Sequence, residues 1–281
     1  MPIRPRSMGT SPSRESARHQ APAPASVGRT MIRGHHLYWE RYGDPEAPAM
    51  VLLHHGLGSI HSWRRQIPAF ASAGWQAIAY DRWGYGRSDP RPGFEAGYLL
   101  QDMHEAIELL EALGLARVSL VGHSDGGTIA LLMAAEYPER VERMVVVAAH
   151  IYIEPKMAEG LRMIAEQARR PPLAAALQRE HGARAPALVD AWIGQWMNAQ
   201  VSSLSMQSML PQIRCPTLVI QGELDEHATP QHAIDIAEGV QNGRLWLIPG
   251  VYHMPPHEIP ENFNRQVLAF LGGGLDERPI E

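Results

Sequence analysis

Residues 118–127 constrain the fold more than any other part of the chain. They read V-S-L-V-G-H-S-D-G-G, and the apolar helical pattern of residues 128–133 follows directly. The V-S-L-V run predicts a short buried strand, and the glycines predict a strand-to-helix turn that is too sharp for larger side chains. The G-x-S-x-G at residues 122–126 is typical of a nucleophile elbow, a turn that raises a serine above the sheet edge. We therefore expect Ser124 to be a catalytic nucleophile.

Strand-like and helix-like patterns alternate along most of the chain. Helical periodicity at residues 102–113 and 260–271 contrasts with the short apolar runs that predict strands. These runs are residues 51–53, 75–80, 118–121, 145–147, 217–220 and 245–248. The alternating run at residues 36–40 predicts an edge strand. Together the patterns predict an α/β fold with a mostly parallel sheet and helices on both faces.

Three parts of the chain differ in their patterns. Residues 1–28 hold few large apolar side chains, so we expect a disordered tail, and they lack the apolar run of a secretory signal. Residues 29–150 and 211–275 carry the alternating pattern and predict the α/β core. Between them, residues 151–210 show helical patterns interrupted by prolines, without strand signals. This segment predicts a small helical cap, or lid, inserted into the core.

The composition restricts the partners that we expect. The formal net charge is −5 and no basic patch occurs outside the tail, so nucleic acid is not expected as a partner. No apolar run approaches the roughly 20 residues needed to cross a bilayer, so no membrane is expected either. The only cysteine, Cys215, excludes an internal disulfide and a multi-cysteine metal cluster, and its place before an apolar strand predicts burial. We expect a cytoplasmic protein that acts on a small molecule.

A nucleophilic serine needs a general base, and the base needs a carboxylate that orients it. On a fold with a nucleophile elbow the chain order is serine, then Asp or Glu, then histidine. The strand pattern at 217–220 leads into Asp225, and the pattern at 245–248 leads into His253. Because parallel strands end at the same edge of a sheet, we expect Asp225 and His253 to lie near Ser124.

Other residues could fill the same roles. Glu223 and Glu226 lie close to Asp225, and His257 follows His253 at a spacing that can bind a metal on a helix. The prolines at 255–256 argue against a helix there, and a position before the next helix suits a solvent or capping role for His257. We therefore favour Asp225 and His253, and we expect neither a metal nor another cofactor.

Glycines after the strand at 51–53 predict an oxyanion hole. Residues 54–59 read H-H-G-L-G-S, and such a loop lets backbone N–H groups approach a developing negative charge. The expected donors are the amides of Leu57 and of Asp125, which follows the nucleophile. The Asp125 carboxylate would oppose that charge unless it turns away or pairs with a cation. At the start of a helix it can also bond to nearby backbone.

These motifs resemble those of the α/β-hydrolase family over residues 30–271. The likeness includes H-G-x-G at 55–58, D-x-x-G-x-G-x-S at 81–88, the elbow, and the loops that carry the acid and the histidine. Within the family, the S-D-G-G elbow and the compact cap are most similar to biphenyl-hydrolase-like and valacyclovir-hydrolase-like esterases. Two departures are Tyr252, where a glycine commonly precedes the histidine, and the additional histidine His54.

The resemblance implies a metal-free serine hydrolase with a cap formed by residues 151–210. It also implies that the Asp125 carboxylate recognises a substrate ammonium. Trp192 and Trp196 lie four residues apart in the predicted cap, where aromatic residues can belong to a core or line a pocket. Asp125, Trp192 and Trp196 are therefore candidate substrate contacts.

The function that we expect is hydrolysis of a small carboxylic ester through an acyl-enzyme, with an amino-acid-type acyl group as one option. The same residues would also serve a lactonase, an amidase or aminopeptidase, or a carbon–carbon bond hydrolase. A ligand-binding receptor with little turnover is an alternative of another class, because one fold can host several functions.

Overall fold

An eight-stranded sheet organises residues 23–198 and 205–274, which are the residues that the computed structural model describes. The strands are β1 (Ser26–Ile32), β2 (His35–Tyr42), β3 (Ala49–Leu53), β4 (Gln76–Asp81), β5 (Val118–His123), β6 (Val141–Val147), β7 (Thr217–Gly222) and β8 (Gly243–Ile248). Their order in the sheet is β1-β2-β4-β3-β5-β6-β7-β8. Strands β3 to β8 are parallel, whereas β2 pairs antiparallel with both β1 and β4.

Helices pack on both faces of this sheet. Outside the segment between β6 and β7 they are α1 (Ile67–Ser72), α2 (Tyr98–Ala112), α3 (Asp125–Glu136), α7 (Gln231–Gly239), α8 (Pro255–Glu258) and α9 (Pro260–Leu271). Side chains alternate along a strand, so Val51 and Leu53 of β3 join one buried cluster with α2, α3 and α7. Met50 and Leu52 join the other cluster, with α1 and α9. The α/β fold class is therefore confirmed.

Three α-helices lie in the described part of the segment between β6 and β7. We refer to α4 (Pro155–Gln167), α5 (Leu173–His181) and α6 (Ala185–Met197) as the cap helices. Prolines stand in the first turns of α4 and α6, where a missing N–H costs no helical hydrogen bond. An isolated bridge between Tyr152 and Ser205 joins the two ends of the segment.

The N-terminal edge of the sheet differs from the prediction. The run at 36–40 belongs to β2, which lies inside the sheet, and the edge strand is β1. Because β1 begins at Ser26, the predicted disordered tail, 1–28, was wrong for residues 26–28; residues 1–22 lie outside the described part of the chain. Within this strand only Ile32 is buried, and the strand is held by backbone hydrogen bonds to β2. Because such bonds do not depend on apolar side chains, the sequence shows little hydrophobic pattern there.

Two further sequence expectations concern burial and length. Cys215 is buried just before β7. No helix among the described residues is long and apolar enough to cross a membrane.

Candidate active site

A strained turn joins β5 to α3 and carries Ser124. The serine has φ +53°, a left-handed value that is costly for a residue with a side chain. A Cβ at Gly122 would overlap the Gly126 carbonyl, and a Cβ at Gly126 would overlap the Leu53 carbonyl. The glycines are therefore required by close backbone approach, and the turn lies directly against the end of β3.

Asp225 lies in the loop after β7 and contacts His253, in the loop after β8. Its Oδ2 atom is 2.8 Å from His253 Nδ1 and accepts a second hydrogen bond of 2.6 Å from Gln221. Its Oδ1 atom accepts from the amides of His227 and Ala228, at 2.8 and 3.2 Å. These bonds satisfy a carboxylate that is fully buried and fix its orientation toward the imidazole.

The electrostatics of this pair favour a charged acid and a basic imidazole. Burial alone would raise the pKa of Asp225. The interactions with His253 and with the backbone amide of His227 outweigh burial and lower the pKa to about 2. Burial lowers the pKa of His253, but the Asp225 carboxylate raises it, and the net pKa lies above the usual value. Asp225 accepts a hydrogen bond from the protonated Nδ1, so His253 Nε2 is left as the basic nitrogen.

Two neighbours hold the backbone of His253. His123 Nε2 donates to the His253 carbonyl at 2.8 Å, and the His253 amide donates to Glu226 at 3.2 Å. Burial holds the pKa of His123 well below its usual value, so this imidazole stays a neutral donor. The sequence analysis missed His123, whose only signal is its place beside the nucleophile in G-x-S-x-G.

Ser124, Asp125 and His253 line one cavity of about 50 Å³. The apolar wall comes from cap helices α4 and α6; its members are Met157, Leu161, Ile164, Trp192 and Trp196. Both tryptophans are buried and also line the cavity. The two alternatives, a place in the core and a place in the pocket wall, therefore both apply to them. The mostly apolar lining is typical of sites that bind small organic molecules.

The Asp125 carboxylate is buried and paired with a cation. Its Oδ2 atom accepts from Tyr98 at 2.8 Å, from Trp192 Nε1 at 3.0 Å and from Arg82 at 3.4 Å. Among the described residues its Oδ1 atom has no hydrogen-bond partner and lies 3.8 Å from the equally unpartnered His150 Nε2. Asp125 and His150 both line the cavity, and we refer to this side of it as the polar end.

The Asp125–Arg82 pair belongs to a larger buried network. Arg82 also binds Asp102 at 2.7 Å, and Asp102 binds Arg91 at 2.6 Å. Two guanidinium groups therefore balance two carboxylates, and the Asp125 charge is largely compensated beside the proposed oxyanion position.

Two backbone carbonyls of the loop after β3 accept hydrogen bonds from histidines. The Gly56 carbonyl accepts from His55 Nδ1, and the Leu57 carbonyl accepts from His181 of α5 at 2.9 Å. Leu57 itself has φ +60°. The amides of Leu57 and Asp125 donate to no other residue in the described part of the chain. Neither of the two expected oxyanion donors is therefore engaged elsewhere in that part of the chain.

The rival residues have other contacts. His257 Nε2 donates to the Ser62 carbonyl at 2.7 Å, and Glu226 accepts from the His253 amide. The prediction that the prolines prevent a helix at 255–256 was wrong, since α8 begins at Pro255, and prolines are tolerated in a first turn. Within 23–198 and 205–274 no group of three or more His, Cys, Asp or Glu side chains could hold a metal ion.

The two departures from the family pattern are accommodated. His54 is buried, donates from Nδ1 to the His55 carbonyl and accepts from the Arg82 amide through Nε2, which is a structural role. The Tyr252 side chain is half exposed and does not line the cavity.

Known proteins are similar to this chain in sequence and in architecture. A sequence model of the alpha/beta hydrolase fold matches residues 48–184. Serine hydrolase BPHL of Mus musculus is 31% identical over 254 residues, which cover 86% of this chain and 85% of that protein. The chain belongs to the alpha/beta hydrolase family. The resemblance inferred from the motifs is thereby confirmed.

Two further proteins are similar to this chain. A putative carbamate hydrolase, RutD of Variovorax paradoxus, is 31% identical over 260 residues, covering 84% of this chain and 96% of that protein. A crystal structure of a hydrolase from Pseudomonas aeruginosa PA01 matches with TM-score 0.74 and 25% identity, covering 88% of this chain and 99% of that one. The protein is a hydrolase of this family.

Proposed function

We propose that this hydrolase cleaves small carboxylic esters through an acyl-enzyme intermediate on Ser124. The observation that carries the proposal is the 2.8 Å contact between Asp225 and His253, in a cavity that His253 shares with Ser124. A serine, an imidazole and a buried carboxylate in this relation form the machinery of acyl transfer.

Each group has a defined part in the reaction. His253 Nε2 takes the proton of the Ser124 hydroxyl as its oxygen attacks the ester carbonyl, and the amides of Leu57 and Asp125 receive the oxyanion. His253 then gives the proton to the leaving alcohol. Water, activated by the same imidazole, releases the acid and restores the serine. Asp225 fixes the tautomer of His253 and stabilises the imidazolium.

Replacement of the nucleophile is the primary test. Ser124→Ala should lower kcat on p-nitrophenyl esters by about 10⁴-fold or more while the melting temperature stays close to that of the wild type. Ser119→Ala is a matched control, because Ser119 is buried on β5, the strand that leads to Ser124, with no side-chain partner among the described residues. Unchanged turnover by Ser124→Ala on every ester would refute the proposal.

An amino-acid-type acyl group is the substrate class that the polar end of the cavity favours. The unpartnered Asp125 Oδ1 is a buried acceptor beside His150, and a substrate ammonium would satisfy it. The resemblance to valacyclovir-hydrolase-like esterases points to the same group.

Asp125→Asn separates this class from neutral esters. We expect kcat/KM for an amino-acid ester to fall about 10- to 100-fold more than kcat/KM for the analogue without the amino group, because a charge-assisted bond is lost. Equal losses on both substrates would remove the amino-acid assignment and leave the esterase proposal intact.

Lactones, amides and carbon–carbon bonds are the other arms of the substrate panel, since the same three residues can serve them. A receptor-like protein is distinguished by its reaction with a fluorophosphonate. It would become labelled without sustained ester turnover, whereas the proposed esterase shows both.

A further inference from the structure

His181 joins a cap helix to the loop that follows β3. It is the last residue of α5, and its ring is buried. Its Nδ1 atom accepts from the Gly86 amide at 3.0 Å, and its Nε2 atom lies 2.9 Å from the Leu57 carbonyl. Because an amide can only donate, Nδ1 is the acceptor, Nε2 carries the proton, and His181 donates to Leu57.

The position of His181 is itself fixed by the core. Arg184, three residues later, donates to the carbonyls of Tyr85 and Ser88, at 3.2 and 3.0 Å. These bonds anchor the end of α5 to the turn that contains Gly86. The position of the imidazole is therefore fixed by the Gly86 amide and by the neighbouring Arg184, independently of its bond to Leu57.

Leu57 needs such a partner to keep its conformation. A leucine at φ +60° persists only when its surroundings determine it. The Gly56 carbonyl, which shares a peptide plane with the Leu57 amide, is held by His55. In a trans peptide the Leu57 amide then points opposite to the Gly56 carbonyl. The bond from His181 to the Leu57 carbonyl fixes the following peptide plane, between Leu57 and Gly58. A Cβ at Gly56 would overlap the Trp192 ring, so α6 closes over the same loop.

We propose that His181 is a positioning residue that couples docking of the cap helices to the geometry of the oxyanion hole. By holding the Leu57 carbonyl it keeps the Leu57 amide aimed at the reacting carbonyl. The inference rests on the proposed role of that amide. It requires that loss of the His181–Leu57 bond lowers kcat and leaves substrate affinity nearly unchanged, because an oxyanion forms only in the transition state.

Two polar substitutions separate the two bonds of His181. A glutamine amide reaches about as far as Nε2, so His181→Gln retains a donor for the Leu57 carbonyl. An asparagine amide reaches only as far as Nδ1, so His181→Asn retains an acceptor for Gly86 and loses Leu57. We expect His181→Asn to lower kcat about 10-fold with KM within about 2-fold, and His181→Gln to stay within about 3-fold of the wild type in both.

Tyr152→Phe is the matched control. It removes a hydrogen bond of 3.0 Å from the base of the cap segment to Asp235 on α7, away from the oxyanion loop, and should leave kcat unchanged. Affinity for a boronic acid, whose adduct places an oxygen in the oxyanion hole, should fall in His181→Asn in parallel with kcat.

Equal kcat losses in the two His181 variants, no loss in either, or a loss confined to KM would overturn the inference. Ser124→Ala, measured beside them, keeps the two proposals apart. If Ser124→Ala remains active, the proposed function fails and the inference fails with it. If wild-type turnover needs Ser124 and His181→Asn keeps the wild-type kcat, only the coupling is wrong.

Discussion

His253 and His123 have ring centroids 5.3 Å apart, and yet their pKa values move in opposite directions. Both are buried, and burial alone lowers the pKa of an imidazole. His253 contacts the Asp225 carboxylate, which raises its pKa, whereas the His123 ring donates to a backbone carbonyl. The proposed base and its neutral neighbour are thus distinguished mainly by the Asp225 carboxylate.

The raised pKa of His253 predicts how activity depends on pH. Only neutral His253 can take a proton, so kcat/KM should rise with pH and reach half its maximum above pH 6.5, the usual pKa of histidine. Asp225→Asn removes the charge that raises this pKa. A pH–rate profile should show the midpoint moved to lower pH and the maximum reduced about 10³- to 10⁴-fold. A midpoint that stays in place would contradict the electrostatic role of Asp225.

Sequence reasoning at this scale works for residues whose chain order carries information. Ser124, Asp225 and His253 each follow a strand pattern, and their order is the expected one. His123 and His181 make tertiary hydrogen bonds with the loops after β8 and β3, and no periodicity or spacing encodes such contacts.

At the scale of elements, the elbow depends on the absence of side chains at two positions. Gly126→Ala would drive a Cβ into the carbonyls of Leu53 and His54, so the free energy of unfolding should fall by about 2 kcal/mol or more. Gly194 lies within α6, and a Cβ there meets nothing within 4 Å. Gly194→Ala should therefore raise stability by about 0.5–1 kcal/mol.

Urea unfolding of the two variants measures both effects on the same scale. The two variants carry the same chemical change, Gly to Ala, and yet the free energy of unfolding should fall in Gly126→Ala and rise in Gly194→Ala. A Gly126→Ala protein as stable as the wild type would contradict the close approach of α3 to the end of β3.

Helices and strands that bury apolar residues could be predicted from the sequence, whereas the exposed strand β1 could not. α9 has the predicted bounds, and β5, β7 and β8 appear where apolar runs predicted them. β1 was missed because its exposed residues follow no apolar pattern, and β2 was taken for the edge in consequence. The turn between them uses positive φ at Arg33 and Gly34, which suits a tight hairpin, but an Arg-Gly pair is a weak signal for one.

At the scale of the whole molecule, a buried charge network links α2 to the site. Glu105 of α2 is buried, and burial together with the neighbouring Asp102 raises its pKa to about 8. The folded protein therefore holds this proton to higher pH than the unfolded chain, whose carboxyl titrates near 4.5. The stabilising contribution is complete below about pH 4.5 and is lost as pH rises through 8.

Glu105→Gln tests this linkage, since glutamine is a permanent analogue of the protonated acid. Its stability should exceed that of the wild type at pH 9 by roughly 1–3 kcal/mol and differ little at pH 5. Thermal unfolding at both pH values gives the comparison. A difference that is the same at pH 5 and pH 9 would show that Glu105 does not titrate with folding.

The overall plan follows from the alternation of patterns, while the assembly of the cavity does not. The order of strands and helices is visible in the sequence, and it brings the loops after β5, β7 and β8 to one edge. How α4 and α6 pack over Ser124 depends on side-chain fit across long separations. Trp192, which donates to Asp125 and covers Gly56, is the clearest example.

Peptide mapping of a fluorophosphonate adduct tests the central claim most directly, with ester turnover measured on the same samples. The account predicts one adduct, on the peptide that contains Ser124, with turnover lost in proportion to labelling and no adduct in Ser124→Ala. Labelling on another residue, or full labelling of Ser124 with turnover undiminished, would contradict it.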